Sequence, residues 1–149
     1  MNNLSMSSKQ DLFLFVEKEK FKKIFILCGK KSFRKSGAQN ILSPILKKKI
    51  VHIYFKLSPY PEIAELKNII YFIKKFSPDL IIAIGGGAVI DYAKIAKVLE
   101  IGNNLAFDIK NSTYKIKKKN IKLLAIPTTA GTGAEVTPSA VIYINKIKY

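Results

Sequence analysis

Three consecutive glycines, Gly85, Gly86 and Gly87, followed by Ala88, end the apolar run Leu80–Ile84 and open onto a helix-period pattern carrying Asp91 and Lys94. Glycine lets the main chain approach a ligand closely and tolerates positive φ. A helix beginning at such a turn presents unpaired N–H groups and the positive end of its dipole to an anion. The chemistry implied is phosphate binding by backbone, although a strand-to-helix turn that binds nothing has the same composition. A second segment repeats the pattern. The short apolar run Leu123–Ile126 ends at Pro127, and Thr128, Thr129 and Thr132 follow around Gly131 and Gly133. Hydroxyls in an irregular loop after a strand suit phosphate and ribose oxygens, and in isolation the stretch reads equally as a polar turn.

Together the two segments resemble the iron-containing (group III) alcohol dehydrogenase family. That family carries Gly-Gly-Gly-Ser-x-x-Asp-x-x-Lys ahead of Ile-Pro-Thr-Thr-x-Gly-Thr-Gly-Ser-Glu. The separation of roughly 40 residues suits βα units of roughly 30 residues plus a loop. The likeness runs from about Lys22 onward. Lys23–Gly37 looks like the family's first strand, cofactor loop and helix start. Ser58-Pro59-Tyr60-Pro61-Glu62 stands where the family has Asn-Pro, and Lys148-Tyr149 looks like its Lys-Tyr pair after a hairpin.

The resemblance implies an amino-terminal dinucleotide-binding domain. Gly85, Gly86, Gly87 and Ala88 are then backbone donors to a pyrophosphate, and Asp91 is a polar contact near the helix start. Thr128, Thr129 and Thr132 supply hydroxyls, and Lys148 approaches the ribose. Asp91 also fits a first-turn carboxylate that stabilises the helix dipole without any ligand. Ala88 and Ala134 stand where the family has Ser, and one lost neutral hydrogen bond weakens binding by about 1 kcal/mol. Gly29 occupies the position where NAD-using members commonly carry an Asp, and Lys30 and Lys31 follow it. Without that carboxylate, and with two ammonium groups near, the expected cofactor leans to NADP over NAD; the alternative is that both lysines are merely solvated.

The family's iron or zinc is held by one Asp and three His of a separate helical domain, C-terminal to these motifs. This chain has one histidine, His52, in an alternating stretch upstream. A lone His cannot hold a catalytic divalent ion, which needs three or more protein ligands. The expectation is a nucleotide-binding half without catalytic residues or a metal site, whose alcohol or aldehyde substrate requires the metal domain. Three readings stay open: part of a longer oxidoreductase, a truncated nucleotide binder that catalyses nothing, and a basic polyanion-binding module.

The third is disfavoured by the kind of charge. The formal charge is +16, but 25 of the 26 basic residues are lysine, spread along the chain with short runs at Lys47–Lys49 and Lys117–Lys119. Specific nucleic-acid readers rely on bidentate Arg and aromatic stacking. No apolar run reaches the roughly 18–20 residues of a membrane span, and Met1–Ser8 lacks the pattern of a secretory signal. The single cysteine, Cys28, reads as a buried strand residue of a cytoplasmic protein. A homo-oligomer is compatible with the sequence.

The length suits one α/β domain, residues 1–149, with residues 1–20 as a partly ordered extension. Strands are expected at Ile24–Cys28, Ile50–Phe55, Leu80–Ile84, Leu123–Ile126 and Ala140–Ile144. Between them come a loop at Gly29–Ser32, a helix over Arg34–Lys47, and a helix opened by Pro61 with Ile63, Leu66, Ile69, Ile70, Ile73 and Phe76 on one apolar face. After Gly87 a helix buries Ile90, Ala93, Ile95 and Val98, and Gly102–Lys119 reads as loop. Strands alternating with helices predict a Rossmann-like parallel sheet covered on both faces, with the nucleotide at the strands' carboxyl ends.

Overall fold

Leu80–Gly85 is apolar at every side chain and buried along its whole length, as a strand with helices on both faces must be. In the computed structural model, which describes residues 8–102, 104–117 and 120–149, this segment is β3 of a four-stranded parallel sheet. The others are β1 (Lys23–Gly29), β2 (Ile50–Lys56) and β4 (Lys122–Pro127), in the order β2-β1-β3-β4. Cys28 pairs with Ile84, and Gly85 pairs with Pro127. Gly29 and Gly85 therefore leave neighbouring strands side by side. The chain runs outward in opposite directions from β1 and β3, and the crevice beyond their carboxyl ends is where such sheets take ligands.

Two apolar layers hold the helices. On one face Phe25, Leu27, Ile81 and Ala83 pack with α4 (Ile63–Phe76) and α5 (Gly87–Val98). On the other, Ile24, Ile26, Cys28, Ile82 and Ile84 pack with α1 (Lys9–Lys18), α2 (Lys30–Lys35) and α3 (Ala38–Leu46). The α4 stripe is as expected, with Leu66, Ile69, Ile70 and Ile73 buried. On α5, Ile90 and Ala93 are buried, while Ile95 and Val98 are only partly so and Tyr92, Ala96 and Leu99 complete the face.

Several elements differ from expectation. Residues 9–18 of the extension form a capped helix. Ser8 Oγ accepts from the Asp11 N–H at 3.1 Å, and the Asp11 carboxylate accepts from the Ser8 N–H at 3.0 Å. The single helix over Arg34–Lys47 is two, because Gly37 at φ +73° turns the chain between α2 and α3, a conformation that costs other residues. Helix α2 begins at Lys30, without the predicted loop. Pro61 precedes α4, whose N-cap is Glu62. The stretch after Gly102 contains a short helix, α6 (Leu105–Lys110), capped by Asn104 and anchored by buried Leu105 and Ile109. The strand expected at Ala140–Ile144 shrinks to β5 (Tyr143–Ile144), which pairs antiparallel with β6 (Ile147–Lys148). Asn145 and Lys146 make the intervening turn at positive φ. Met1–Ser7 of the extension, and Lys118 and Lys119 of one basic run, lie outside the described residues. No helix among the described residues is long and apolar enough to cross a membrane.

Candidate functional site

Gly86 is the N-cap of α5 and, having no side chain, makes no cap; the first turn carries no acidic residue. The Val89 and Ile90 N–H groups reach the Gly86 carbonyl at 3.0 and 3.4 Å. The earliest N–H groups, at Gly87 and Ala88, thus stand at the positive end of the helix where an anion is favoured. Gly85 is required by packing: a Cβ there would lie 2.6 Å from Val89 Cγ2 and 3.0 Å from Val89 Cβ, and a β-branched helical side chain has little freedom to withdraw.

The threonine loop covers this turn. The Thr128 N–H donates to the Gly85 carbonyl at 3.0 Å, extending the β3–β4 ladder by one step. A Cβ on Gly86 would approach Thr129 Oγ1 to 3.0 Å, and one on Gly87 would lie 3.6 Å from Thr132 Cβ and 3.9 Å from Ala134 Cβ. Gly85, Gly86, Gly87, Thr128, Thr129 and Thr132 therefore come together, with Ala88 on the adjoining helical turn. Ala134 is buried, so its methyl closes the contact with Gly87.

Asp91 is not at the helix start. It lies beyond the first turn, is 9% exposed, and pairs with Lys94 Nζ at 3.4 Å. The first-turn dipole role therefore does not apply to it. Lys94, part of the motif but without an expected role, donates to the carbonyls of Ala134 at 2.9 Å, Thr137 at 3.2 Å and Ser139, and lies 3.4 Å from Thr137 Oγ1.

A second buried polar group, between α4, α5 and the loop after β2, escaped the sequence reading. Glu65, on α4, is 5% exposed. Its carboxylate accepts from the Leu57 and Ser58 N–H groups at 2.5 and 2.8 Å and from the Tyr92 hydroxyl at 3.1 Å. Tyr92 Oη in turn accepts from the Glu62 N–H at 2.6 Å. Burial, reinforced by the Glu65 carboxylate, pushes the Tyr92 phenol well above its ordinary pKa, so it stays a neutral donor. Lys56 donates to the Ser58 and Pro59 carbonyls of the same loop. Its ammonium is shifted down by burial, which Glu65 opposes. The signal was a carboxylate beside the apolar stripe of α4, three residues after Glu62.

Of the remaining expected residues, Gly29 ends the strand beside β3 while Lys148 lies on the β5–β6 hairpin. Gly29 caps α2 at φ −80°, a conformation open to any residue, with exposed Lys30 and Lys31 in the first turn. Lys148 is exposed on β6. Its hairpin docks on the loop after β2, where the Tyr143 N–H donates to the Pro61 carbonyl at 2.7 Å. Cys28 is buried, and burial raises its thiol pKa to about 12, which leaves it an inert packing group. His52 lies between the rings of Phe25 and Phe72, at centroid distances of 5.1 and 5.5 Å. Among the described residues no three His, Cys, Asp or Glu gather as a metal site would require, so the residues present do not fit an iron or zinc ion.

Comparisons with known proteins identify the family of this chain, whose glycine turn at an uncapped helix start is roofed by a threonine loop. The family profile of iron-containing alcohol dehydrogenases matches residues 9–149. The chain belongs to that family. It is 35% identical over 100 residues to long-chain-alcohol dehydrogenase 1 of Geobacillus thermodenitrificans, covering 66% of this chain and 25% of that protein. It is 31% identical over 136 residues to the NADPH-dependent butanol dehydrogenase of Clostridium saccharobutylicum, covering 87% and 35%. The iron-containing alcohol dehydrogenase structure from Thermococcus thioreducens superposes with a TM-score of 0.77 at 26% identity, over 97% of this chain and 40% of that one. The sulfoacetaldehyde reductase of Bifidobacterium kashiwanohense, solved with NAD+, shares the fold at a TM-score of 0.76 and 24% identity, over 93% and 36%. The chain thus spans a quarter to two fifths of the length of these relatives.

Proposed function

We propose that these 149 residues are the dinucleotide-binding part of an NAD(P)-linked oxidoreductase that interconverts a small alcohol with its aldehyde or ketone. The observation that carries the reading is the roofed glycine turn: open N–H groups at the start of α5, with Thr129 and Thr132 packed against Gly86 and Gly87. Backbone donors and a helix dipole bind pyrophosphate, and threonine hydroxyls add contacts to phosphate or ribose oxygens. When bound, the nicotinamide carries the hydride, and the protein contributes binding and orientation. With no fitting set of metal ligands among the described residues, the part we assign to this chain is binding, and turnover requires residues beyond it. A catalytically silent nucleotide binder is the alternative within the same site.

The finer assignment is a preference for NADP. It rests on the absence of a carboxylate at Gly29, whose strand leaves the sheet beside Gly85, and on Lys30 and Lys31 in the first turn of α2. The likeness to an NADPH-dependent butanol dehydrogenase supports it.

Gly86→Val tests the site. Gly86 has φ −80°, which Val adopts, so the change acts by steric block rather than backbone strain. The branched side chain enters the gap between turn and loop, already only 3.0 Å from a Cβ to Thr129 Oγ1. Calorimetric titration with NADP is expected to show affinity at least ~10-fold weaker, or ~1.4 kcal/mol. Unchanged affinity in a variant with a native circular-dichroism spectrum would place the phosphates elsewhere.

A further inference from the structure

We infer that Lys94 is a positioning residue for the nucleotide site: it clasps the threonine loop over the glycine turn, with Asp91 as its anchor. The inference rests on the assignment of that turn to the pyrophosphate. Lys94 and Gly87 are seven residues apart on α5, two helical turns and roughly 10 Å along one face. The ammonium is mostly withdrawn from solvent, its side chain 15% exposed. Its bonds to the carbonyls of Ala134, Thr137 and Ser139 draw three points of an irregular segment onto the helix. Asp91, with a side chain 13% exposed, pairs with the ammonium from the same helix. Of the three acceptors only Ala134 is buried, and a buried carbonyl outside strand or helix needs such a donor; Thr137 and Ser139 are exposed, so there the ammonium fixes the course of the loop.

The connection to the ligand end is continuous. Ala134 gives its carbonyl to Lys94 at 2.9 Å, while its methyl lies 3.9 Å from where a Gly87 Cβ would be, with Thr132 beside it. One residue therefore joins the clasp to the roof. The family motif places Lys among phosphate-turn residues, but here the ammonium is committed to loop carbonyls and Asp91, not turned toward the first N–H groups. Helix α5 thus supplies the anion-binding donors at its start and fixes the loop above them from two turns further on.

The test uses the whole chain and Lys94→Met, which keeps the length of the side chain and removes its charge, with Lys94→Gln as a second variant should the first fail to fold. Two readouts are taken: amide hydrogen exchange across residues 130–139 without ligand, and calorimetric titration with NADP. The expected result is at least tenfold faster exchange in that loop, unchanged protection of β1 and β3, and at least tenfold weaker NADP binding. A double-mutant cycle with Thr132→Val separates positioning from general destabilisation, because a residue acting through the loop loses most of its effect once Thr132 is gone. Unchanged loop exchange overturns the inference, as does faster exchange with unchanged affinity or strictly additive losses. Should the unaltered chain bind neither NADP nor NAD, the nucleotide assignment falls, and with it the positioning role. Failure confined to the variants' readouts, in a chain that binds, counts against the clasp alone.

Discussion

Tyr92→Phe removes a single oxygen from a fully buried ring, so it leaves no cavity worth counting and isolates the hydrogen bonds. Tyr92 Oη has one proton and two lone pairs. It accepts from the Glu62 N–H at 2.6 Å and donates toward Glu65 Oε2 at 3.1 Å, in competition with the carbonyls of Tyr60 and Glu62 at 3.1 and 3.3 Å. After substitution Glu65 retains the Leu57 and Ser58 N–H groups, whereas the Glu62 N–H loses its acceptor. A donor left unpaired costs about 1–3 kcal/mol, and a bond to a charged acceptor contributes about 1.5–3. With the carboxylate still doubly bonded, about 2 kcal/mol is the expected loss. For a chain of 149 residues that lowers Tm by about 4–8 °C. In urea the midpoint should fall with no change in m, since the surface exposed on unfolding is the same. Because burial keeps the phenol protonated, the loss should stay flat through the neutral pH range. A loss below about 0.5 kcal/mol would refute the reasoning, showing that water replaces the hydroxyl at the Glu62 N–H.

Two other outcomes follow from charges on the surface. Asp79 Oδ2 accepts from the Lys22 and Lys23 N–H groups, both at 2.9 Å, and these bonds, the Lys23 one foremost, hold its pKa below the ordinary value. A depressed carboxylate stabilises the fold above its unfolded pKa and loses that contribution as pH falls through the folded one, so Asp79→Asn should cost less than about 1 kcal/mol at neutral pH, with the two stability curves converging in acid below about pH 4. In side-by-side titrations at physiological salt, NADP should bind more tightly than NAD, and Lys30→Glu should reduce that preference while leaving NAD little changed; equal affinities in the unaltered chain would remove the assignment.

What the sequence disclosed depended on how local each signal was. The buried strands were legible because continuous Ile-rich runs have few other fates, and the α4 stripe because its period repeats over four turns. The break at Gly37 was missed because glycine near a helix start is common, and only the backbone shows it at φ +73°. Helix α1 could have been found: Ser8 three residues before Asp11 is a capping box, with buried Leu12 and Val16 four apart behind it. The site divides in the same way. Glycines and threonines announce themselves by type, but Asp91, Lys94 and Glu65 are polar residues whose partners lie 27 to 45 residues away or across a turn, and helical periodicity cannot say which backbone groups a buried charge will meet.

Those missed partners explain why α5 can organise the whole carboxyl end of the sheet. Tyr92 and Lys94 are two residues apart and so leave the helix about 200° apart, on opposite flanks. Tyr92 fastens the loop after β2 through the Glu62 N–H and Glu65, while Lys94 fastens the loop after β4 through three carbonyls. The β5–β6 hairpin then ties the end of the second loop to the first, because the Tyr143 N–H reaches the Pro61 carbonyl. The two loops are thus referenced to one rigid element, the same element whose first N–H groups we assign to the pyrophosphate. A shift of α5 would move donors, roof and opposite wall together, which preserves the relative geometry that binding requires. That common reference assigns structural work to Lys94, a motif residue with no role expected from its sequence, and to Tyr92 and Glu65, which the motif does not include.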